Sequence, residues 1–161
     1  MSGNAPKIET IKLENAKVAI ISARWHQKIC DSLISGSKRA LEEAGVKEIS
    51  IDYVAGSFEL PLAAQYALKS GADAAVVLGV VLRGETPHFD YVCQGVTDGI
   101  MRVSLDLDKP IGFGVLTVDT VEQAIARSGV AGSKEDKGYD SAIAALDLLR
   151  VKREFFGRFA K

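Results

Sequence analysis

Apolar residues recur along the chain in two patterns that alternate from one end to the other. Unbroken runs of β-branched and aliphatic residues are typical of buried strands, and apolar positions spaced by three or four are typical of helices. The unbroken runs predict strands over 17–23, 48–55, 74–82 and 111–118. The spaced stretches predict helices over 27–44, 57–71, 88–107, 121–129 and 137–159, with 130–136 as a link.

The run AAVVLGVVL at 74–82 is too apolar to have a face in water. Such strands lie in the middle of parallel sheets that helices cover on both sides. Strands that alternate with helices therefore predict an α/β fold with three layers, α/β/α, in the flavodoxin-like class: a parallel four-stranded sheet with helices on both faces. We expect a single domain over 1–161, with 1–16 as an N-terminal tail.

The composition narrows the class of protein further. A chain of 161 residues that is 47% hydrophobic and 25% charged can bury one sizeable core. A net charge of -1 provides no basic field for nucleic acid, and no apolar run approaches the roughly 20 residues that span a bilayer. The polar N-terminus is unlike a secretory signal, so we expect a cytoplasmic protein in which Cys30 and Cys93 remain free thiols.

Polar and aromatic residues that could bind a ligand come directly after the predicted strands. Parallel sheets bind ligands at this carboxyl edge. Trp25 follows the first strand, Ser57 to Glu59 follow the second, and RGETPHFDY (83–91) follows the third. His88 in that last stretch is a candidate proton carrier, because imidazole exchanges protons near neutral pH. Its alternative role is to begin a helix and bind a nearby carbonyl.

The other residues at this edge also have structural alternatives. Backbone N–H groups near Gly84 to Thr86 could hold a phosphate at a helix start, or Thr86 could cap that helix. Trp25 could stack on a planar heterocycle or belong to the core. Glu59 could accept hydrogen bonds from hydroxyl groups or stabilise a helix N-terminus.

Arg127 could grip a phosphate with two hydrogen bonds, and Lys137 could assist it, although both could equally be solvated surface charges. The predicted helix over 121–129 returns antiparallel to its strand, so we expect Arg127 at the amino end of the sheet, together with Phe113. From there neither residue reaches His88 of the same chain. If they are functional, a neighbouring subunit must supply them.

Other chemistries find no support in the sequence. GFG at 112–114 lies inside a strand with no helix opening after it, which does not fit a dinucleotide-binding fingerprint. There is no Walker A motif, and two histidines with two scattered cysteines provide no metal-ligand spacing. We expect no metal site.

Several motifs in one order resemble the lumazine synthase family: GSFE at 56–59, GVVLRGETPHFDYV at 79–92, GFGVLT at 112–117, ARSG at 126–129 and DKG at 136–138. The resemblance implies an enzyme of riboflavin biosynthesis. It would join 5-amino-6-ribitylaminouracil to 3,4-dihydroxy-2-butanone 4-phosphate, releasing phosphate and water, to give 6,7-dimethyl-8-ribityllumazine. It also implies that no cofactor is needed.

The resemblance implies a role for each candidate residue. Those that match the ribitylaminouracil site are Trp25, Ser57, Phe58, Glu59, Val80, Val81, Leu82 and Phe113, the last from the next subunit. Those that match the butanone phosphate site are Glu85, Thr86, Arg127 and Lys137. His88 matches the residue assigned to proton transfer.

The resemblance further implies a homopentamer with active sites shared between subunits, and a functional association with riboflavin synthase. In such an assembly the segment IETIKL (8–13) would add an edge strand to a neighbour's sheet. The link VAGSKED (130–136) is longer than the KxGNKG-like link of shell-forming members. That length favours a free pentamer over a sixty-subunit shell.

Two other functions stay open on the sequence. A flavin or lumazine store, or a shell protein, would bind the ribityl compound without turnover. An aldolase-like enzyme or isomerase would use the phosphate grip on a sugar phosphate, but it would leave Trp25 beside a ribityl-binding segment unexplained.

Overall fold

The computed structural model describes residues 12–159, apart from the side chain of Phe159. Four strands alternate with helices through this range. The strands are β1 (Lys17–Ala23), β2 (Glu48–Val54), β3 (Ala74–Leu82) and β4 (Ile111–Val118). The helices are α1 (Gln27–Glu43), a 3-10 helix (Ser57–Glu59), α2 (Leu60–Lys69), α3 (His88–Leu107), α4 (Val121–Ile125) and α5 (Lys137–Phe159).

The four strands form one parallel sheet in the order β2-β1-β3-β4. The ladder between β1 and β3 ends at the pair Ser22–Leu78, whereas the ladder between β3 and β4 continues to Leu82–Val118. The β1-facing side of β3 therefore extends four residues beyond its strand partner. This uneven ending leaves the β1-facing edge of residues 79–82 without a strand partner at the carboxyl edge of the sheet, and we call the space beside it the cleft.

Two apolar half-cores lie on opposite faces of the sheet. On one face, Val18 and Ile20 of β1 pack with α1 and α5; on the other, Ala19 and Ile21 pack with α2 and α3. Every residue of β3 except the partly exposed Leu82 is buried. Each fully buried aliphatic side chain contributes about 1.5–3 kcal/mol, which makes β3 the central element of the fold. The predicted three-layer α/β/α architecture is confirmed.

The start of α5 packs unusually close to its neighbours. A Cβ at Gly112 would collide with the Ser141 carbonyl group, and a Cβ at Gly138 would collide with the Leu33 carbonyl group. Glycine is therefore required at both positions. This packing fixes the first turn of α5 between β4 and α1.

The helix predicted over 121–129 is shorter than expected, since α4 ends at Ile125. The following loop satisfies the freed carbonyl groups: Ser133 Oγ donates to the Ile125 oxygen, and the N–H groups of Lys134 and Glu135 donate to the Ala126 oxygen. A five-residue helix spans only about 7.5 Å, far less than β4. The expectation that Arg127 returns to the amino end of the sheet is therefore wrong.

The predicted edge strand over 8–13 falls mainly on residues 1–11, which lie outside the described residues. Leu13 is buried, and its N–H group donates to the Ala44 carbonyl oxygen at 2.9 Å. Cys30 and Cys93 are free thiols, the first buried and the second partly buried. Within residues 12–159, no helix is long and apolar enough to cross a membrane.

Candidate functional site

The cleft beside the free side of β3 is closed at its base by Ser57. A Cβ on Gly79 would lie 2.6 Å from Ser57 Oγ and 3.5 Å from the Ala23 Cβ atom. The 3-10 helix therefore packs directly against β3 just beyond the last β1–β3 pair. Glycine at position 79 allows this close approach, and it brings the segments that follow β1, β2 and β3 together.

Trp25 lies on one wall of this cleft and is not a core residue, since 69% of its surface is exposed. His26 follows it in the left-handed conformation (φ 57, ψ 47) and is the N-cap residue of α1. The Cys30 thiol donates to the Trp25 carbonyl oxygen at 3.3 Å. A Cβ at Gly56 would lie 3.5 Å from Trp25 Cδ1, so the indole runs alongside the Gly56 backbone. A large flat surface is thus held open to solvent.

The 3-10 helix presents three different groups. Ser57 is buried, and its Oγ atom has no hydrogen-bond partner among the described residues. Phe58 is 63% exposed, and its ring lies over Gly95 of α3. Glu59 Oε2 accepts the Gly56 N–H at 2.8 Å, while the side chain as a whole is exposed. Glu59 therefore orders the entry to the 3-10 helix and still presents a carboxylate oxygen to a ligand.

The turn over 84–88 completes the cleft from the third strand. All five of its residues are exposed. Pro87 is the N-cap of α3, and no side chain caps this helix, so Thr86 does not act as the cap. His88 and Gly95 are seven residues apart and lie on the same side of α3. Because Phe58 covers Gly95, His88 is on the side of α3 that faces the 3-10 helix.

Val80, Val81 and Leu82 contribute to the cleft through their backbone. The side chains of Val80 and Val81 are 5% and 8% exposed and belong to the two half-cores. What β3 offers a ligand here is its β1-facing row of peptide groups beyond Leu78. Such groups read the edge of a planar polar molecule in the same way that a neighbouring strand would.

Phe113 lies away from this cleft. It pairs with Val77 in the amino half of the sheet, on the edge strand β4. Gly112 and Gly114 on either side of it face Ser141 of α5, so Phe113 projects from the opposite face, and 42% of its surface is exposed.

Arg127 and Lys137 lie together on the α1/α5 side of the molecule. The Lys137 N–H group donates to the Arg127 carbonyl oxygen at 2.9 Å, and Arg127 Nη1 donates to the Gln123 carbonyl oxygen at 3.0 Å. Lys137 directly precedes Gly138, which packs on Leu33 of α1. The structure thus brings these two residues together, but on the opposite face of the sheet from α3 and His88.

Lys137 is engaged by carboxylates of its own chain. Its Nζ atom lies 2.7 Å from Glu135 Oε2 and 3.1 Å from Asp140 Oδ2. The hydrogen bond from Lys137 lowers the pKa of Glu135, and the same bond, with a smaller contribution from Asp140, raises the pKa of Lys137. Lys137 is therefore held as a cation near Arg127.

Sequence reasoning did not single out Gly79 and Gly95, although both shape the cleft. An isolated glycine inside an apolar strand is a known signal of close backbone approach, and Gly79 carries that signal. Gly95 is one of several glycines in or near helices and has no comparable signal. Among residues 12–159, no group of three or more His, Cys, Asp and Glu side chains is arranged to hold a metal ion.

Comparison with known proteins assigns the chain to a family. Residues 15–153 match the family described as 6,7-dimethyl-8-ribityllumazine synthase. A Streptomyces avermitilis protein of that name is 52% identical over 147 residues, which are 91% of each chain. Proteins of the same name from Kineococcus radiotolerans and Mycolicibacterium gilvum are 50% and 46% identical, over 95% and 96% of this chain and 95% and 97% of their own. The chain belongs to the 6,7-dimethyl-8-ribityllumazine synthase family.

Proposed function

We propose that the chain condenses 5-amino-6-ribitylaminouracil with 3,4-dihydroxy-2-butanone 4-phosphate to form 6,7-dimethyl-8-ribityllumazine. The observation that carries this proposal is the cleft in which Trp25, the 3-10 helix and the free side of β3 meet His88. Its flat wall, peptide row and proton carrier suit a planar pyrimidine with a hydroxylated chain. Membership of the family supports the same reaction.

In this proposal the pyrimidine stacks on Trp25, and its polar edge meets the peptide groups of Val80 to Leu82. Glu59 accepts hydrogen bonds from the ribityl hydroxyls, and Phe58 covers the chain. The Ser57 hydroxyl lies buried at the base of this site without a partner among the described residues, and such an atom costs about 1–3 kcal/mol. A polar atom of the ligand that reached it would remove that cost.

The phosphate ester would lie at the start of α3. The backbone N–H groups near Glu85 and the hydroxyl of Thr86 supply donors there, and the N-terminus of a 20-residue helix favours an anion. Arg127 and Lys137 of a neighbouring subunit would complete the phosphate grip. Arg127 suits this role because guanidinium binds phosphate through two parallel hydrogen bonds.

The chemistry needs protons moved several times at one place. The 5-amino group attacks the ketone, and a first water leaves to give a Schiff base. Loss of a C–H proton then eliminates phosphate and leaves an enol, which takes up a proton at carbon to become a ketone. The ribitylamino nitrogen adds to this ketone and a second water leaves, which closes the ring. In this proposal His88, exposed at the start of α3, accepts and returns these protons. Holding two reactive substrates in register supplies much of the acceleration, on the order of 7–11 kcal/mol at most.

We further propose a homopentamer whose subunits share active sites. Large apolar side chains are exposed on two helices, at Tyr91, Met101 and Leu105 of α3 and at Leu62 and Tyr66 of α2. Tyr91 and Leu105 lie on a side of α3 that also carries the polar residues Gln94 and Asp98, so this surface mixes apolar and polar groups. Mixed surfaces of this kind occur where subunits meet, and these side chains, together with the exposed ring of Phe113, suit packing of each subunit against the next around a closed ring.

We propose a free pentamer rather than a sixty-subunit shell, because the link over 130–136 is longer than the corresponding link of shell-forming members. In this chain the link folds back on itself, since the N–H groups of Lys134 and Glu135 donate to the Ala126 carbonyl oxygen. Deleting residues 1–14 tests the accompanying proposal that this tail pairs with a neighbour's sheet. Unchanged assembly after the deletion would count against it. From the family we also propose a cytoplasmic location and a functional association with riboflavin synthase.

The function is tested by measuring phosphate release and lumazine absorbance in one cuvette, with both substrates and with each alone. We expect phosphate only with both, in step with lumazine. Release from the phosphate ester alone would indicate a sugar-phosphate enzyme. Because Trp25 is the only tryptophan, its fluorescence reports ligand binding directly. Quenching by the ribityl compound with no turnover would indicate a store.

A further inference from the structure

Arg83 stands directly before the turn over 84–88, where an arginine would ordinarily be expected to bind the phosphate. Two of its three guanidinium nitrogen atoms are engaged elsewhere. Nε donates to Asp119 Oδ1 at 2.8 Å, and Nη1 donates to Asp90 Oδ1 at 3.3 Å. The guanidinium carbon lies 4.1 Å from the centre of the Phe89 ring. The charge of Arg83 is thus compensated by two carboxylates of its own chain.

These contacts bracket the turn. Arg83 directly precedes the turn over 84–88, on its β3 side. Phe89 and Asp90 directly follow it, at the start of α3. Phe89 is buried in the α2/α3 half-core, so the ring under the guanidinium is itself fixed. Within the turn, a Cβ at Gly84 would have no neighbour within 4 Å. The turn is therefore held at its base rather than along its length.

Asp119 extends this bracket towards Arg127. The Asp119 N–H group donates to Gln123 Oε1 at 2.9 Å, and Arg127 Nη1 donates to the Gln123 carbonyl oxygen at 3.0 Å. Thr120 Oγ1 accepts the Gln123 N–H and caps α4. A continuous series of contacts thus connects Arg83, at the base of the His88 turn, to the segment that carries Arg127.

We propose that Arg83 is a positioning residue: it fixes the turn carrying Thr86 and His88 relative to the segment carrying Arg127, and it does not bind the phosphate ester. This inference rests on the proposed function. If Arg127 serves the neighbouring subunit, the series from Arg83 to Arg127 joins the parts that one chain contributes to two active sites.

The variant Asp119→Asn tests this role, because a positioning Arg83 and a phosphate-binding Arg83 predict opposite changes in kcat/KM. A positioning Arg83 loses its strongest bond in that variant, so kcat/KM for the phosphate ester should fall about 3- to 10-fold. If Arg83 were a phosphate ligand, loss of the competing carboxylate would free it, and kcat/KM would rise or stay unchanged. We expect Arg83→Met to lower kcat/KM about tenfold or more, and the double variant to fall no further, because the two residues act as one unit.

Arg83→Lys and Arg150→Met are the matched variants. The lysine ammonium is a single point charge without the planar guanidinium fork, whose Nε and Nη1 atoms reach Asp119 and Asp90 while its face covers Phe89, so Arg83→Lys should rescue little of the loss. Arg150 also pairs with two carboxylates, Asp147 and Glu154, but on α5 away from the cleft. Arg150→Met should leave kcat and KM unchanged. Full activity in Arg83→Lys would overturn the positioning role.

A readout that needs no turnover separates this inference from the proposed function. The chain has only two histidines, so imidazole C–H signals of His26 and His88 can be told apart by NMR with a His26→Gln variant. We expect Arg83→Met and Asp119→Asn to shift or broaden the His88 signal and to leave the His26 signal in place. An unchanged His88 signal would overturn the inference even if lumazine is formed, whereas a changed signal without lumazine formation by the unsubstituted chain would overturn only the proposed function.

Discussion

The cleft at the carboxyl edge and the Arg127–Lys137 segment are built in different ways. The cleft is assembled within one chain. Its indole and His88 are exposed, and its Ser57 hydroxyl is buried without a hydrogen-bond partner among residues 12–159. The basic segment lies on the other face of the sheet, and Lys137 is already paired with Glu135 and Asp140. The contrast agrees with the proposal that one chain carries most of one site and a smaller, preformed part of a neighbour's site.

We expect the largest loss of activity from a substitution in the Arg127–Lys137 segment. Arg127→Ala removes a charged phosphate donor, and hydrogen bonds to charged groups contribute about 1.5–3 kcal/mol. We therefore expect KM for the phosphate ester to rise about 10- to 150-fold, with little change in KM for the ribityl compound. Steady-state kinetics with each substrate varied in turn measures this. A similar rise for both substrates would contradict a role confined to phosphate.

His88→Ala should act on the rate rather than on binding. Proton transfer by a positioned side chain contributes about 100-fold or more in many enzymes, but these substrates are already reactive. We expect kcat to fall about 10- to 100-fold while Trp25 fluorescence still reports binding of the ribityl compound. Full kcat at saturation and neutral pH would exclude His88 as the proton carrier.

Gly79→Ala should distort the cleft and leave the Arg127–Lys137 segment unchanged. The new Cβ would lie 2.6 Å from Ser57 Oγ and 3.4 Å from Leu60 Cδ1, and such overpacking costs about 1–3 kcal/mol. The melting temperature and the affinity for the ribityl compound should both fall. Gly157→Ala is the matched control, because its Cβ would have no neighbour within 4 Å and alanine favours the helix.

Lys137→Met should weaken the basic segment in a pH-dependent way. Because Lys137 lowers the pKa of Glu135, the stabilisation is present above the ordinary glutamate pKa and is lost as pH falls through the lowered value. We expect a loss of about 0.5–1 kcal/mol at neutral pH and almost none at about pH 2–3. Chemical denaturation at the two pH values measures the difference. An equal loss at both would indicate a packing role for the lysine side chain.

The smallest effect on stability should come from Ser57→Ala. Its Oγ atom is buried and unpaired, so removing it should leave the free energy of unfolding unchanged or raise it by up to about 1 kcal/mol. Binding of the ribityl compound should weaken if that compound supplies the missing partner. Lower stability in the free protein would show that the hydroxyl already has a favourable contact.

The architecture and the cleft could be predicted from the sequence because local patterns determine them. The apolar run of β3 required a central strand, and polar residues after β1, β2 and β3 had to meet at one edge. The length of α4 could not be predicted, because the loop over 130–136 supplies the bonds that end the helix at Ile125. The pairing of Arg83 with Asp119, 36 residues away, is likewise a product of the fold.

Mixed assemblies test most directly the claim that one chain contributes to two sites. His88→Ala and Arg127→Ala chains would be unfolded together, refolded in equal amounts, and assayed at low phosphate ester concentration. If neighbouring subunits share a site, about a quarter of the interfaces regain both residues, and activity rises well above the average of the two parents. If each site lies within one chain, every site stays defective, and the mixture shows only that average.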